Sequence, residues 1–335
     1  MQKILIVATA AASLAFAQSA PAPAGAVIGV GNFIHVVSDV VKSLEFYHDV
    51  LGMDLQGPPG AQVNAPRPYL ATPEIANLYN AVGAEYRVGA TLVPESPMRA
   101  ELVEWKIADR KPVQPRYQDP GAATMILSVR DLDAIMARVK KSGTPVVTTG
   151  GEPVTLADGK AILLKDPDGF YVELIQRGAS APGSSNLIDV SFAFTVSDTD
   201  RMVHVFKDAL GFQPATGAFQ SDKARLHLMG MKGAKYRETT ALVPGTSFHV
   251  SFLEFKGIDR TPVHSRPQDP GSPVLRLLIR DMDSMVKALD TAGVRVASHG
   301  GEPVTLRGPA SGVRAAITGA PDNLFVQVLQ QAAKP

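Results

Sequence analysis

Short apolar, β-branched runs alternate along the chain with longer stretches of helical period. Phe33-Ile34-His35-Val36-Val37 predicts a strand. Behind it Asp39 has the place of an N-cap, and Val40 to Leu51 carries Val41, Leu44, Phe46-Tyr47 and Val50-Leu51 at helical spacing before Gly52 ends the run. Leu92-Val93 and Glu101–Trp105 predict further strands, and the three prolines between Lys106 and Ala123 mark a connector. The order then recurs: strand Thr124 to Val129, an Asp131 cap, helix Leu132 to Lys141 stopped by Gly143, and strands Pro145–Thr148, Ala161–Lys165 and Tyr171–Gln176, the last following the turn Asp166-Pro167-Asp168-Gly169. A further short helix over 74–81, opened by Thr72 and Pro73, is most simply packing, with a role over a cleft as the alternative.

A shift of 150 residues lays Tyr86–Leu156 on Tyr236–Leu306 without a gap, with 29 of 71 positions identical. Asp109-Arg110, Arg116 and Gln118-Asp119-Pro120-Gly121 return as Asp259-Arg260, Arg266 and Gln268-Asp269-Pro270-Gly271, and Gly150–Leu156 returns as Gly300–Leu306. A period of this length is a duplicated domain, not a solenoid. The expected organisation is a first domain over 26–177, a Gly/Ser/Ala/Pro linker over 178–186 and a second domain over 187–331. Each copy reads strand–helix–strands twice, so the chain holds four βαβββ-like modules. The expected class is α+β, with mixed sheets curled around a cleft.

Composition narrows the function. The net charge of +1 gives no electrostatic case for nucleic acid or anionic lipid. With no Cys there is neither disulfide, thiolate ligand nor Cys nucleophile. Lys3, the apolar run Ile4–Phe16 and the small-x-small Ala15-Phe16-Ala17 predict a signal peptide over 1–17, followed by an Ala/Pro tether over 18–25. The expected product is periplasmic or secreted, free of the membrane after cleavage, and a monomer or homodimer.

The segments Phe33–Met53 (FIHVVSDVVKSLEFYHDVLGM), Glu101–Trp105 (ELVEW), Thr124–Asp133 (TMILSVRDLD) and Asp166–Gln176 (DPDGFYVELIQ) resemble the vicinal oxygen chelate family, which includes glyoxalase I, methylmalonyl-CoA epimerase, fosfomycin-resistance proteins and extradiol dioxygenases. The resemblance covers nearly all of the chain beyond the leader. It implies paired modules around a cleft, with metal ligands from the first and last strand of each module. A bacterial glyoxalase-like site reads His, Glu, His, Glu. Mapped in this way the first copy offers His35, Glu101, Thr124 and Glu173, whereas the second offers Phe194, Ser251, Val274 and Gln327.

One imidazole and two carboxylates would suit one divalent metal, Zn, Ni, Mn or Fe(II), with open positions for a substrate. Thr124 is a weak ligand or a group that holds a metal-bound water. Glu101 or Glu173 would serve as the proton-moving carboxylate of a lyase or isomerase acting on a small oxygen-rich molecule. Strand alternation sets Glu173 on the opposite face from its neighbours, where an inward carboxylate needs a partner. This reading requires a self-closed first domain; exchange of modules between the copies would separate the ligands. The alternatives are a non-catalytic protein that binds or sequesters a small molecule, and, third, an extradiol-type dioxygenase. Glu104 and the Arg116/Gln118/Asp119 block recur in the copy without ligands, so both read as structural.

Overall fold

The structure is a computed structural model that describes residues 26–332 except 95, 97, 178–182 and 308–310. The leader and tether expected over 1–25, and the first part of the linker expected over 178–186, lie outside the described residues.

Four modules follow one another. The first holds β1 (Val27–Val36), α1 (Val40–Leu44, prolonged by a π-helical turn, Glu45–Val50), β2 (Asp54–Leu55), α2 (Pro73–Leu78), β3 (Glu85–Leu92) and β4 (Arg99–Lys106). The second holds β5 (Ala123–Val129), α3 (Leu132–Ser142), β6 (Val154–Leu156), β7 (Gly159–Lys165) and β8 (Tyr171–Gln176). The third holds β9 (Leu187–Val196), α4 (Thr199–His204, prolonged by Val205–Ala209), β10 (Ala215–Thr216), α5 (Lys223–Leu228), β11 (Lys235–Leu242) and β12 (His249–Lys256). The fourth holds β13 (Pro273–Ile279), α6 (Met282–Thr291), β14 (Val304–Thr305), β15 (Arg314–Gly319) and β16 (Phe325–Gln330).

The long helices start where the sequence places them. Asp39, Asp131, Asp198 and Asp281 each cap a module's helix, with the carboxylate accepting first-turn N–H groups. The strand expected over Pro145–Thr148 is reduced to a bridge between Val146 and Leu164. Thr148 turns its hydroxyl to Leu163 N and Leu228 O instead.

The two sheets do not follow the repeat. One has the order β14-β15-β16-β13-β1-β4-β3-β2 and the other β10-β11-β12-β9-β5-β8-β7-β6. Module one therefore shares a sheet (sheet A) with module four, and module two shares the other (sheet B) with module three. The seams are antiparallel, β1 against β13 with Ile34 opposite Val274, and β5 against β9 with Met125 opposite Phe192. The self-closed first domain that the metal reading required is not what the chain forms.

Exchange is reciprocal about a pseudo-twofold axis. Phe33 and its repeat equivalent Phe192 stack on each other with centroids 4.2 Å apart. Gly121 N donates to Thr195 O, and Gly271 N donates to Val36 O, both at 2.8 Å. The repeated Arg/Asp block clasps the copies together: Arg116 holds Asp119 of its own loop and Asp259 of the other copy, and Arg266 holds Asp269 and Asp109 in the same way. Glu104 accepts Val40 N at the start of α1 and pairs with Arg87, and Glu254 repeats both roles with Thr199 N and Arg237. These residues act structurally.

The faces of the sheets that look toward each other, with α1, α3, α4 and α6, enclose the main core. His35 is part of it. Alternation sets it on the face of Phe33 and Val37, whereas Ile34 and Val36 look the other way into a second cluster with Trp105. It is fully buried between Phe33 and Phe170. Its Nε2 lies 2.8 Å from Asp166 Oδ2, which also accepts the Tyr47 hydroxyl. Burial works against the imidazolium, but the charge and hydrogen bond of Asp166, with the charge of Asp168, more than offset it and raise the His35 pKa. At the equivalent positions of the other copy stand Phe194, Ala320 and Phe206, all buried and apolar.

The buried trio gives a stability prediction. Asp166→Ala, or His35→Ala, leaves an uncompensated buried partner and should cost about 3–5 kcal/mol in chemical unfolding. The triple change His35→Phe, Tyr47→Phe, Asp166→Ala, which copies the other half, should regain more than half of that loss. Because the folded pKa of His35 is raised, its contribution is fully present below the ordinary value of 6.5 and fades as pH rises through the folded value. Stability of the natural chain should therefore fall across that window relative to the triple variant. Gly271 tests the reciprocal seam. It sits at φ +92, and a Cβ there would lie 2.3 Å from Val113 O. Gly271→Ala should lower stability by on the order of 2 kcal/mol or more, from left-handed strain plus the clash.

Candidate functional site

The concave face of each sheet forms a cleft. Cleft A, in sheet A, encloses about 620 Å³. Its apolar wall comes from strand residues, Tyr86, Val88, Val103 and Leu329 among them, backed by Ile34 and Val274, and from α2, which with its cap lays Ile75, Leu78 and Tyr79 over it. The short helix foreseen over 74–81 thus covers a cleft. Trp105, the chain's single tryptophan, is fully buried beside Tyr79 and Tyr86, each with ring centroids at 5.2 Å.

At one end of cleft A is a polar cluster. Arg276 on β13 donates from Nε to Gln327 Oε1 at 2.6 Å and from Nη1 to Glu101 Oε2 at 3.2 Å. Asn32 Nδ2 donates to the same Glu101 oxygen at 2.8 Å, and Arg99 Nε donates to Asn32 Oδ1 at 2.6 Å.

Cleft B, in sheet B, encloses about 610 Å³ and is more polar. Glu173, Ser191 and Ser251 line it beside Ile126. The helix α5 delivers Arg225, whose Nη1 lies 2.6 Å from Glu173 Oε1. Burial opposes the guanidinium charge, but the charge and hydrogen bond of Glu173, with the charge of Glu238, more than offset this, so Arg225 stays charged.

The expected ligands do not meet. Glu101 lies in sheet A, Glu173 and Thr124 lie in sheet B, and His35 is in the core between the sheets. Thr124 is buried on the face of β5 that carries Ile126. The error for His35 is one of register. Asn32, Thr124, Ser191 and Val274 each stand seven residues before the capping aspartate of their module, at Asp39, Asp131, Asp198 and Asp281. His35 and Phe194 stand only four residues before it, on the opposite strand face. Counting from the cap would have found Asn32 in the sequence.

With the register set, the four first- and last-strand positions of cleft A are Asn32, Glu101, Val274 and Gln327, and those of cleft B are Thr124, Glu173, Ser191 and Ser251. The divalent metal that the resemblance implies does not fit either set. Each has one carboxylate and no imidazole, and that carboxylate is already bound by a guanidinium. Among the described residues, no group of three His, Cys, Asp or Glu side chains could hold a metal ion. The two arginines are not repeat equivalents. Arg276 corresponds to Ile126 of cleft B, and Arg225 corresponds to Ile75 of cleft A. Each cleft thus sets an arginine on its glutamate, but from a different element.

Comparison with known proteins agrees with this architecture. Residues 29–174 match the family model described as the Glyoxalase/Bleomycin resistance protein/Dioxygenase superfamily. A lactoylglutathione lyase of Arabidopsis thaliana is 24% identical over 185 residues, which are 54% of this chain and 55% of that protein. The chain thus spans about half the length of this curated relative. Among solved structures, glyoxalase I from Zea mays superposes with a TM-score of 0.57 at 15% identity, covering 91% of this chain and 92% of its own. A putative dioxygenase from Bacillus subtilis gives 0.55 at 10% identity, covering 92% and 86%. Both likenesses concern the fold. The family model matches the first copy, the second copy repeats its sequence, and four modules in two exchanged sheets give this chain an architecture that resembles a tandem member of the glyoxalase/bleomycin resistance/dioxygenase superfamily.

Proposed function

We propose that the chain is an exported, non-catalytic protein that binds a small molecule in cleft A, with arginine in place of a metal. The observation that carries this reading is Arg276 seated between Glu101 and Gln327, the two last-strand positions of the cleft. A guanidinium at this place satisfies the carboxylate that a divalent ion would need, and it cannot act as a Lewis acid or release a proton at neutral pH. The remaining positions, Asn32 and Val274, give a hydrogen-bonding group and a methyl surface. The cleft then offers a large apolar wall and one polar end in which Glu101 is matched by Arg276. Such a site suits a mostly apolar molecule with an uncharged, oxygen-bearing end that meets Arg276, Asn32 and Gln327. Export rests on the sequence of residues 1–17.

The exported reading is tested by expressing the full chain in a Gram-negative host and sequencing the N-terminus of the periplasmic product. It should begin at Gln18, and retention of Met1 in the cytoplasm would overturn it. For the cleft, elemental mass spectrometry of protein purified without chelator, and again after reloading with Zn, Ni, Mn or Fe(II), should find well below one metal per chain. The variant Asn32→His, Val274→His, Arg276→Ala, Gln327→Glu should gain about one. Stoichiometric metal in the natural chain would restore the lyase or isomerase reading. Trp105 gives an optical readout of occupancy, because Tyr79 and Tyr86 separate it from the cleft by one ring. Titration with an apolar ligand library should shift its fluorescence, and Arg276→Ala should weaken the hits that carry an oxygen acceptor about tenfold, the worth of a hydrogen bond to a charged donor.

A further inference from the structure

Cleft B has a chemistry of its own that the reading of cleft A does not use. Glu173 is 1% exposed at its floor. Arg225 takes Oε1, while Oε2 is buried with no hydrogen-bond partner among the described residues. An ionised oxygen left so in a buried position is costly and calls for a donor. The rest of the wall adds negative charge. Arg177 pairs with Asp158 at 3.4 Å, and Arg225 with Glu173, whereas Asp189, Asp222 and Glu238 also line the cleft and have no basic partner among the described residues. With two arginines against five carboxylates, the cleft carries a surplus of three negative charges, although Asp222 also caps α5 by accepting Arg225 N; His249 also lines the wall. Tyr117 lies buried near Glu173, and burial together with that charge raises its pKa, so its phenol stays neutral.

We infer that cleft B is a second ligand site, for a small organic cation whose ammonium donates to Glu173 Oε2. A donor alone would satisfy the orphan oxygen, but a donor that also carries positive charge answers the surplus of carboxylates as well. A neutral hydroxyl answers only the first, and an anion would face Asp189, Asp222 and Glu238. The cavity of about 610 Å³ has room for a flexible molecule with a second ammonium among the carboxylates of the wall. Cleft A, mostly apolar and with no surplus of carboxylates, would not take such a ligand, so the two sites differ in specificity.

The test uses the purified full chain and three five-carbon probes, an α,ω-diamine, the matching diol and the matching dicarboxylate, followed by calorimetry at low and moderate salt. The diamine should bind, more weakly as salt is raised, and the diol and dicarboxylate should not. Glu173→Gln keeps a hydrogen-bond acceptor for Arg225 and should weaken the diamine at least tenfold, whereas Glu85→Gln, which removes a half-buried carboxylate paired with Lys106 on the other sheet, should leave it unchanged. Asp189→Asn, an exposed rim position, serves if Glu173→Gln fails to fold, and should weaken binding several-fold with a shallower salt dependence. A diol that binds as well as the diamine, diamine binding that survives both Glu173→Gln and Asp189→Asn, or no diamine binding at millimolar concentration would each overturn the assignment. None of these outcomes bears on metal content or on Trp105, which report cleft A.

Discussion

The antiparallel pairing of β1 with β13 and of β5 with β9 is the constraint on which the rest of the molecule depends. It is fixed by a few short-range features at the pseudo-twofold axis. Phe33 stacks on Phe192, and the glycines at 121 and 271 come close enough to the opposite copy to donate to its backbone. At Gly271 the approach leaves no room for a side chain. Once the seams are set in this way, each sheet takes one module from each copy. Every cleft is then lined by residues that the duplication has let diverge independently, and no cleft inherits a complete set of ligands.

Divergence has gone in opposite directions inside the core and inside the clefts. In the core, one copy keeps the polar trio His35, Tyr47 and Asp166, and the other has Phe194, Phe206 and Ala320 in the same places. The three positions are coupled because a buried Asp without its imidazole, or a phenol without its acceptor, leaves a polar atom unsatisfied. They are found together as polar or together as apolar. In the clefts, Glu101 and Glu173 are kept, and each has acquired an arginine from a non-equivalent element. A carboxylate held partly or wholly out of water needs a counter-cation, which a strand supplies to Glu101 and a helix to Glu173.

This arrangement also explains why the covering helices matter. In cleft A, α2 contributes apolar side chains and the arginine comes from the sheet. In cleft B, α5 contributes the arginine and the sheet contributes Ile126. Opposite choices at the same two positions give one cleft a greasy lining and the other a charged one. Two sites of similar volume on one duplicated scaffold therefore present different chemistry to solvent.

Much of this was legible in the sequence. The duplication, the four modules, the aspartate caps and the structural parts played by Glu104 and the Arg116–Asp119 loop follow from local periodicity and from comparing one copy with the other. Those features are set by neighbours close in the chain or by residues that repeat. The resemblance set His35 at the first-strand ligand position, whereas a count from Asp39 sets it on the core face. Tertiary structure alone decided which modules share a sheet, because both pairings satisfy the same hydrophobic pattern. It alone seated Arg225 and Arg276 on the two glutamates, since those contacts join residues 52 and 175 positions apart whose meeting no local rule dictates.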